Sequence, residues 1–275
     1  MMALDDDRIG KNARTTLLDH GERRPWAVVL FHGLTNHPGQ YVEFGPQVFE
    51  TGANVFIPRL PKHGYADRMT DDIASLTAGE VLATSSEAVD IACGLGERVA
   101  ILGISVGGLL AAYFAQFRAD VASAVPVAPD FALLQLPHGL TWTLEKLVLA
   151  LPNFFMWWDA RIRERQRPVT AYPRFSTHAL MQTLRIGDVV YDTSKNAAPL
   201  AMHVATVINR VDPAVNNDVT RRVVENWQSR RVGGIELIEL RNLPENHDII
   251  DPDNPVARTD LVYPRLLDAL DLKRS

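Results

Sequence analysis

The sequence predicts an α/β protein, with one mostly parallel sheet covered by helices on both faces and a helical segment inserted late in the order. Three observations carry this. Short apolar runs alternate with segments of helical spacing. The apolar runs are hydrophobic almost throughout, as strands buried on both faces must be. One connection, of roughly 70 residues between Val127 and Leu200, is far longer than a strand-to-strand crossover needs.

The candidate strands are Trp26 to Phe31, Ala53 to Pro58, Arg98 to Ile104, Val121 to Val127, Leu200 to Ile208 and Ile235 to Leu240. Helical spacing falls on Tyr41 to Thr51, Ala78 to Gly94, Val106 to Phe117, Asn216 to Arg230 and Val256 to Leu272. In the long connection, Leu140, Leu144, Leu147, Val148 and Leu151 share one helical face, and Phe154, Phe155, Met156, Trp157 and Trp158 follow. This reads as a cap over the sheet, so the chain divides into a core over 1–129, a helical cap insertion over 130–199 and a second core part over 200–275. Phe155, Trp157 and Trp158 are the candidate pocket residues. For each alone, packing of the cap is the commoner role.

Composition narrows the function classes. With 47% hydrophobic and 22% charged residues the chain is an ordinary globular protein, and a net charge of −5 offers no general attraction to nucleic acid. The basic run Arg161 to Arg167 is interrupted by Glu164 and reads as a solvated helix face. Cys93 is the single cysteine, so no internal disulfide or cysteine-rich zinc site can form. No metal or cofactor is expected. The N-terminus lacks the apolar centre of a secretory signal, and the expectation is cytoplasmic. The apolar stretch Leu147 to Trp158 spans 12 residues and contains Pro152, too short for stable membrane insertion.

The chemistry centres on Gly103-Ile104-Ser105-Val106-Gly107, at the junction of a predicted strand and a predicted helix. A sharp turn there forces the serine into a strained conformation, and glycines two residues either side remove colliding side chains. The serine would project above the sheet at a helix N-terminus, where negative charge on a bound oxygen is favoured. A serine hydroxyl needs a base. Of the eight histidines, His247 lies on a loop after the last strand, whereas His203 sits within a strand run. The base needs an acid to fix its tautomer. Asp212, on the loop after the strand ending at Ile208, is the candidate, and Asp130, after Val127, is its rival. Alone, Asp212 before Pro213 would also suit a helix cap. The backbone N–H groups of Val106 and of Leu34, beside Gly33, would form the oxyanion hole. His32 then reads as a structural hydrogen-bonder.

The order Ser105, Asp212, His247 points to the α/β-hydrolase fold. The chain resembles the α/β-hydrolase superfamily along nearly its whole length. Its segments "HGLTNHPGQY", "RLPKHGYADR", "INRVDPAV" and "PENHDI" are similar to those of the monoacylglycerol-lipase and bacterial carboxylesterase branch. The resemblance supports Ser105 as nucleophile, Asp212 as acid, His247 as base and Leu34 with Val106 as oxyanion donors. Lys62 and Asn209 stand where that branch usually carries glycine. The expected activity is cofactor-independent hydrolysis of a small carboxylic ester, of medium-chain acyl or monoacylglycerol type. A thioesterase, transacylase or peptidase with the same triad, a carbon–carbon bond hydrolase and a catalytically silent binding module stay open, as does a homodimer.

Overall fold

The computed structural model describes residues 5–133, 136–158 and 171–273. The basic run Arg161 to Arg167 lies outside them.

Seven strands form the main sheet: β1 (Thr16–Leu18), β2 (Arg24–Phe31), β3 (Asn54–Ile57), β4 (Gly96–Ile104), β5 (Val121–Val127), β8 (His203–Asn209) and β9 (Ile235–Leu240). Their order is β1-β3-β2-β4-β5-β8-β9, and every pairing is parallel except that of the edge strand β1 with β3. Alternation along β2 shows why its sequence is apolar throughout. Ala27, Val29 and Phe31 enter one core and Trp26, Val28 and Leu30 the other.

The first core is covered by α2 (Ala78–Leu95), α3 (Val106–Phe117), α5 (Thr177–Ser194) and α6 (Asn217–Arg230), and the second by α1 (Phe44–Glu50) and α7 (Thr259–Leu270). Local chemistry sets the helix starts. Thr77 and Glu80 form a reciprocal capping box on α2, and the Asn216 side chain accepts from the N–H groups of Asp218 and Val219 on α6. A short 3₁₀ turn, Pro38–Tyr41, precedes α1, where the sequence suggests one continuous helix from Tyr41. Among the described residues no helix is long and apolar enough to cross a membrane.

The long connection holds α4 (His138–Ala150), a two-stranded antiparallel ribbon of β6 (Phe155–Trp157) and β7 (Arg174–Ser176), and α5. Helix α5 packs on α3, and Gly187 permits the approach: a Cβ there would stand 3.0 Å from Leu109 Cδ2. The expectation of a purely helical segment therefore misses the ribbon. Of the five apolar positions expected on one face, Leu144 and Val148 on α4 turn to the cavity below, while Leu140 and Leu147 on α4 and Leu151 just past its end are exposed.

Candidate active site

Ser105 stands between β4 and α3 with φ 58° and ψ −115°, a left-handed conformation that a side chain rarely adopts. The turn is locked by the Ser105 N–H on the Val127 carbonyl at 2.9 Å. Its glycines are required by contact. A Cβ on Gly103 would meet the Gly107 carbonyl oxygen at 2.2 Å, and one on Gly107 would meet the Phe31 carbonyl oxygen at 1.9 Å. Removing those two side chains brings the β4–α3 turn against the end of β2.

That packing places the loop after β2 beside the serine. A Cβ on Gly33 would lie 3.6 Å from Ser105 Cβ. His32 is buried; its Nε2 accepts the Leu60 N–H at 3.1 Å, so Nδ1 carries the proton and donates to the Gly33 carbonyl at 2.9 Å. Burial and the nearby His63 hold His32 well below the usual histidine range, which keeps this tautomer neutral. In a trans peptide the N–H points opposite to the carbonyl, so a fixed Gly33 carbonyl also fixes the direction of the Leu34 N–H. Leu34 lines the cavity beside Ser105. The Val106 side chain is buried in the core, and as the first residue of α3 its N–H has no acceptor within the helix.

The loops after β8 and β9 bring Asp212 and His247 together. His247 Nδ1 donates to Asp212 Oδ2 at 2.8 Å, and Asp212 Oδ1 accepts the N–H groups of Ala214 at 2.8 Å and Val215 at 3.3 Å. One oxygen thus closes a local turn while the other faces the histidine; the helix cap expected of an aspartate before Pro213 falls instead to Asn216, the N-cap of α6. Burial alone would lower the His247 pKa. The Asp212 carboxylate and its hydrogen bond, with Asp130 and Asp248 beyond, push it up to about 9.

Asp130 follows a turn in which Ala128 has φ 40° and reaches the same cavity as Ser105 and His247. Its carboxyl is buried, Oδ1 has no hydrogen-bond partner among the described residues, and burial raises its pKa to about 6. It is not bonded to His247; the histidine's carboxylate partner is Asp212.

The cavity holds about 800 Å³, within the range of small-molecule sites. Ser105, Asp130 and His247 lie along its wall, and Leu144, Val148, Phe154, Met156, Trp158 and Phe175 make another wall apolar. Of the three expected aromatic residues, Trp158 lines it, with Nε1 donating to Thr35 Oγ1 at 3.0 Å. Phe155 and Trp157 do not. Residues two apart share a strand face, so Met156 alternates with them and takes the cavity side. Phe155 instead packs on the core beneath the Arg174 guanidinium, 4.2 Å from its ring centroid.

A model of the alpha/beta hydrolase family matches residues 28–268, from β2 into α7. The chain belongs to the alpha/beta hydrolase family. This hydrolase-family chain is 24% identical over 224 residues to a thermostable monoacylglycerol lipase of Bacillus sp. (strain H-257), covering 81% of its own length and 84% of the relative's. In fold it is similar to a monoacylglycerol lipase of Paleococcus ferrophilus, with TM-score 0.70, 17% identity, and 95% of this chain and 100% of that one covered. A soluble variant of monoglyceride lipase from Saccharomyces cerevisiae, solved with a substrate analog, gives TM-score 0.70 at 12% identity, covering 95% and 92%.

Within this family member, the two departures noted in the sequence have visible partners. Lys62 takes a left-handed φ of 62°, and its Nζ lies 3.0 Å from Glu80 Oε1. Asn209 Nδ2 donates to the carbonyls of Pro244 at 3.0 Å and Asn246 at 2.8 Å, tying the Asp212 loop to the His247 loop. Sequence reasoning passed over Asn36, Gln40 and Asp248. Single polar residues in loops carry no periodic signal, and only the adjacency of Asp248 to His247 could have marked one of them.

Proposed function

We propose that the chain is a serine hydrolase that cleaves carboxylic esters, of medium-chain acyl or monoacylglycerol type, through an acyl-enzyme on Ser105. One observation carries the reading: Ser105, strained at its turn, opens onto the same cavity as His247, whose far nitrogen is bonded to the buried Asp212.

Ser105 Oγ attacks the ester carbonyl carbon while His247 Nε2 takes its proton, and Asp212 steadies the imidazolium through Nδ1. The carbonyl oxygen becomes an oxyanion received by the N–H groups of Leu34 and Val106, a kind of contact worth about 3 kcal/mol of barrier for each donor. Collapse breaks the bond to the alcohol oxygen, which leaves with the proton from His247. Water then enters, His247 removes its proton, and attack on the acyl-enzyme carbonyl carbon breaks the bond to Ser105 Oγ, which takes the proton back from His247 as the acid leaves. The cap-side residues supply an apolar wall suited to an acyl chain, while a charged peptide would lose its hydration there. The lipase names of its relatives agree with this substrate class.

Hydrolysis of p-nitrophenyl esters from acetate to palmitate, by the native chain and by Ser105→Ala, tests the proposal. Turnover that peaks at intermediate length and vanishes with Ser105→Ala supports it. No turnover of any ester by folded native protein would remove it.

A further inference from the structure

Resting on the reading above, we propose that Gln40 and Asp248 are positioning residues, forming a partly buried amide–carboxylate bridge that holds the oxyanion loop in register with the loop carrying His247.

A glutamine amide offers one acceptor oxygen and two donor hydrogens. Gln40 uses both ends. Its Oε1 accepts the Gly33 N–H at 3.0 Å, and its Nε2 donates to Asp248 Oδ1 and Oδ2, each at 3.0 Å. Only 2% of Gln40 is exposed, so neither contact is exchanged freely for water. Asp248 is held from further sides. Asn36 Nδ2 donates to its Oδ2 at 3.3 Å and to Asp251 Oδ2 at 3.0 Å, while the Asp251 N–H donates to Asp248 Oδ1 at 3.2 Å. The carboxylate therefore gathers donors from the loop after β2 and from its own loop, and bonds to a charged acceptor are the stronger kind.

The placement of the two ends gives the bridge its consequence. At one end the bonded group is the Gly33 N–H, one peptide before the Leu34 N–H, on a residue where an added Cβ would lie 3.6 Å from Ser105 Cβ. At the other end Asp248 is the chain neighbour of His247. Gln40 and Asp248 are 208 residues apart, so the chain alone does little to fix these loops against each other. His32 sets the tilt of the Gly33–Leu34 peptide from its carbonyl side, and Gln40 sets the preceding N–H. An oxyanion donor must meet the oxygen where it stands in the transition state, so a small displacement of this loop costs rate more than substrate binding.

The test uses Gln40→Leu, Gln40→Glu and the double variant Gln40→Glu with Asp248→Asn, each checked for folding by its thermal midpoint. Gln40→Leu deprives Gly33 and Asp248 of partners, and Gln40→Glu sets two carboxylates against each other. The double variant exchanges amide and carboxylate across the bridge at the same total charge. The introduced carboxylate accepts from Gly33 and from the introduced amide, whose single carbonyl keeps one of the two remaining donors, Asn36 at the Oδ2 position or the Asp251 N–H at the Oδ1 position.

With a p-nitrophenyl ester, each single variant is expected to lose about 10- to 100-fold in kcat, with KM within about twofold. The double variant should regain part of that loss. The rate at which a fluorophosphonate labels Ser105 should follow the same order, and this readout needs no ester turnover. A native chain that is labelled but hydrolyses no ester would count against the esterase reading alone; a chain that is not labelled would overturn both. Folded Gln40→Leu with native kcat and labelling rate would overturn the bridge. If Gln40→Leu does not fold, the exchange decides: a folded double variant no faster than Gln40→Glu overturns the proposal, and recovery supports it.

Discussion

His247 Nδ1 and Asp212 Oδ2 are 2.8 Å apart, and the Asp212 side chain is fully buried, so its carboxylate is held between the imidazole and the N–H groups of Ala214 and Val215. Asp212→Asn keeps an oxygen for the local turn but presents an N–H₂ to Nδ1. The imidazole is then driven to the tautomer with its proton on Nε2, where it cannot accept from Ser105. Expected is a loss of about 10⁴-fold in kcat with the fold retained, read by steady-state kinetics beside a thermal melt.

Asp130 acts on the same histidine from a distance. With His247 as the proposed base, which must be neutral to accept a proton, kcat/KM of the native chain should rise with pH toward a midpoint near the His247 value of about 9. Asp130, charged above about pH 6, contributes to holding that value up. Asp130→Asn should therefore move the acid limb to lower pH while kcat stays within about tenfold of native. A loss matching that of Asp212→Asn would make Asp130 the functional acid.

The turn glycines yield a stability prediction. The 1.9 Å approach that a Cβ on Gly107 would make is to the backbone of β2, which cannot swing aside as a flexible side chain could. Gly107→Ala should cost more than about 4 kcal/mol, seen as loss of soluble folded protein or a collapse of the thermal midpoint. A variant melting within a few degrees of native would contradict the close packing of β2, β4 and α3.

Much of this architecture was legible because its elements obey simple periodicities. Strands buried on both faces write continuous apolar runs, and β2, β4 and β5 fall where those runs lie. Ser105 was legible because a strained strand-to-helix turn demands glycine at fixed spacing. Other parts were not. Helix α5 mixes Thr183, Gly187, Val189 and Val190, poor helix formers, and is held instead by the Ser176 cap and burial against α3. The three-residue strands β1, β6 and β7 are too short to show alternation. Residue type alone points to Phe155 and Trp157 as well as Trp158, whereas alternation along β6 gives its cavity side to Met156. The Gln40–Asp248 bridge joins residues whose proximity only the closed fold creates.

A buried acidic joint lies between α4 and α5. Burial and its hydrogen bond with Asp188 raise the pKa of Glu145, with Arg185 and Lys146 opposing, and His138 Nε2 lies 2.9 Å from Asp188 Oδ1. A carboxyl whose pKa is raised by folding contributes stability below its unfolded value that is lost as pH rises toward its folded value. Glu145→Gln can still donate to Asp188 but has no proton to lose. Its thermal midpoint should exceed that of the native chain at pH 8 by a wider margin than at pH 5, as differential scanning fluorimetry would read.

In the proposed esterase, the apolar wall of the cavity would set which acyl chain fits. Val148 lines the cavity from α4, so Val148→Trp should fill part of it. Expected is a fall of roughly tenfold or more in the ratio of kcat/KM for octanoate over acetate esters, with acetate turnover largely kept. An unchanged ratio would place the acyl chain elsewhere.

The most direct measurement is to mix the native chain with excess p-nitrophenyl butyrate, quench with acid during the first turnovers, and map the added mass by peptide mass spectrometry. A butyryl group on the peptide containing Ser105, formed with a burst of about one equivalent of nitrophenol and absent from Ser105→Ala, is the expected result. Steady hydrolysis that persists in Ser105→Ala, or a butyryl group carried elsewhere, would contradict an acyl-enzyme on Ser105.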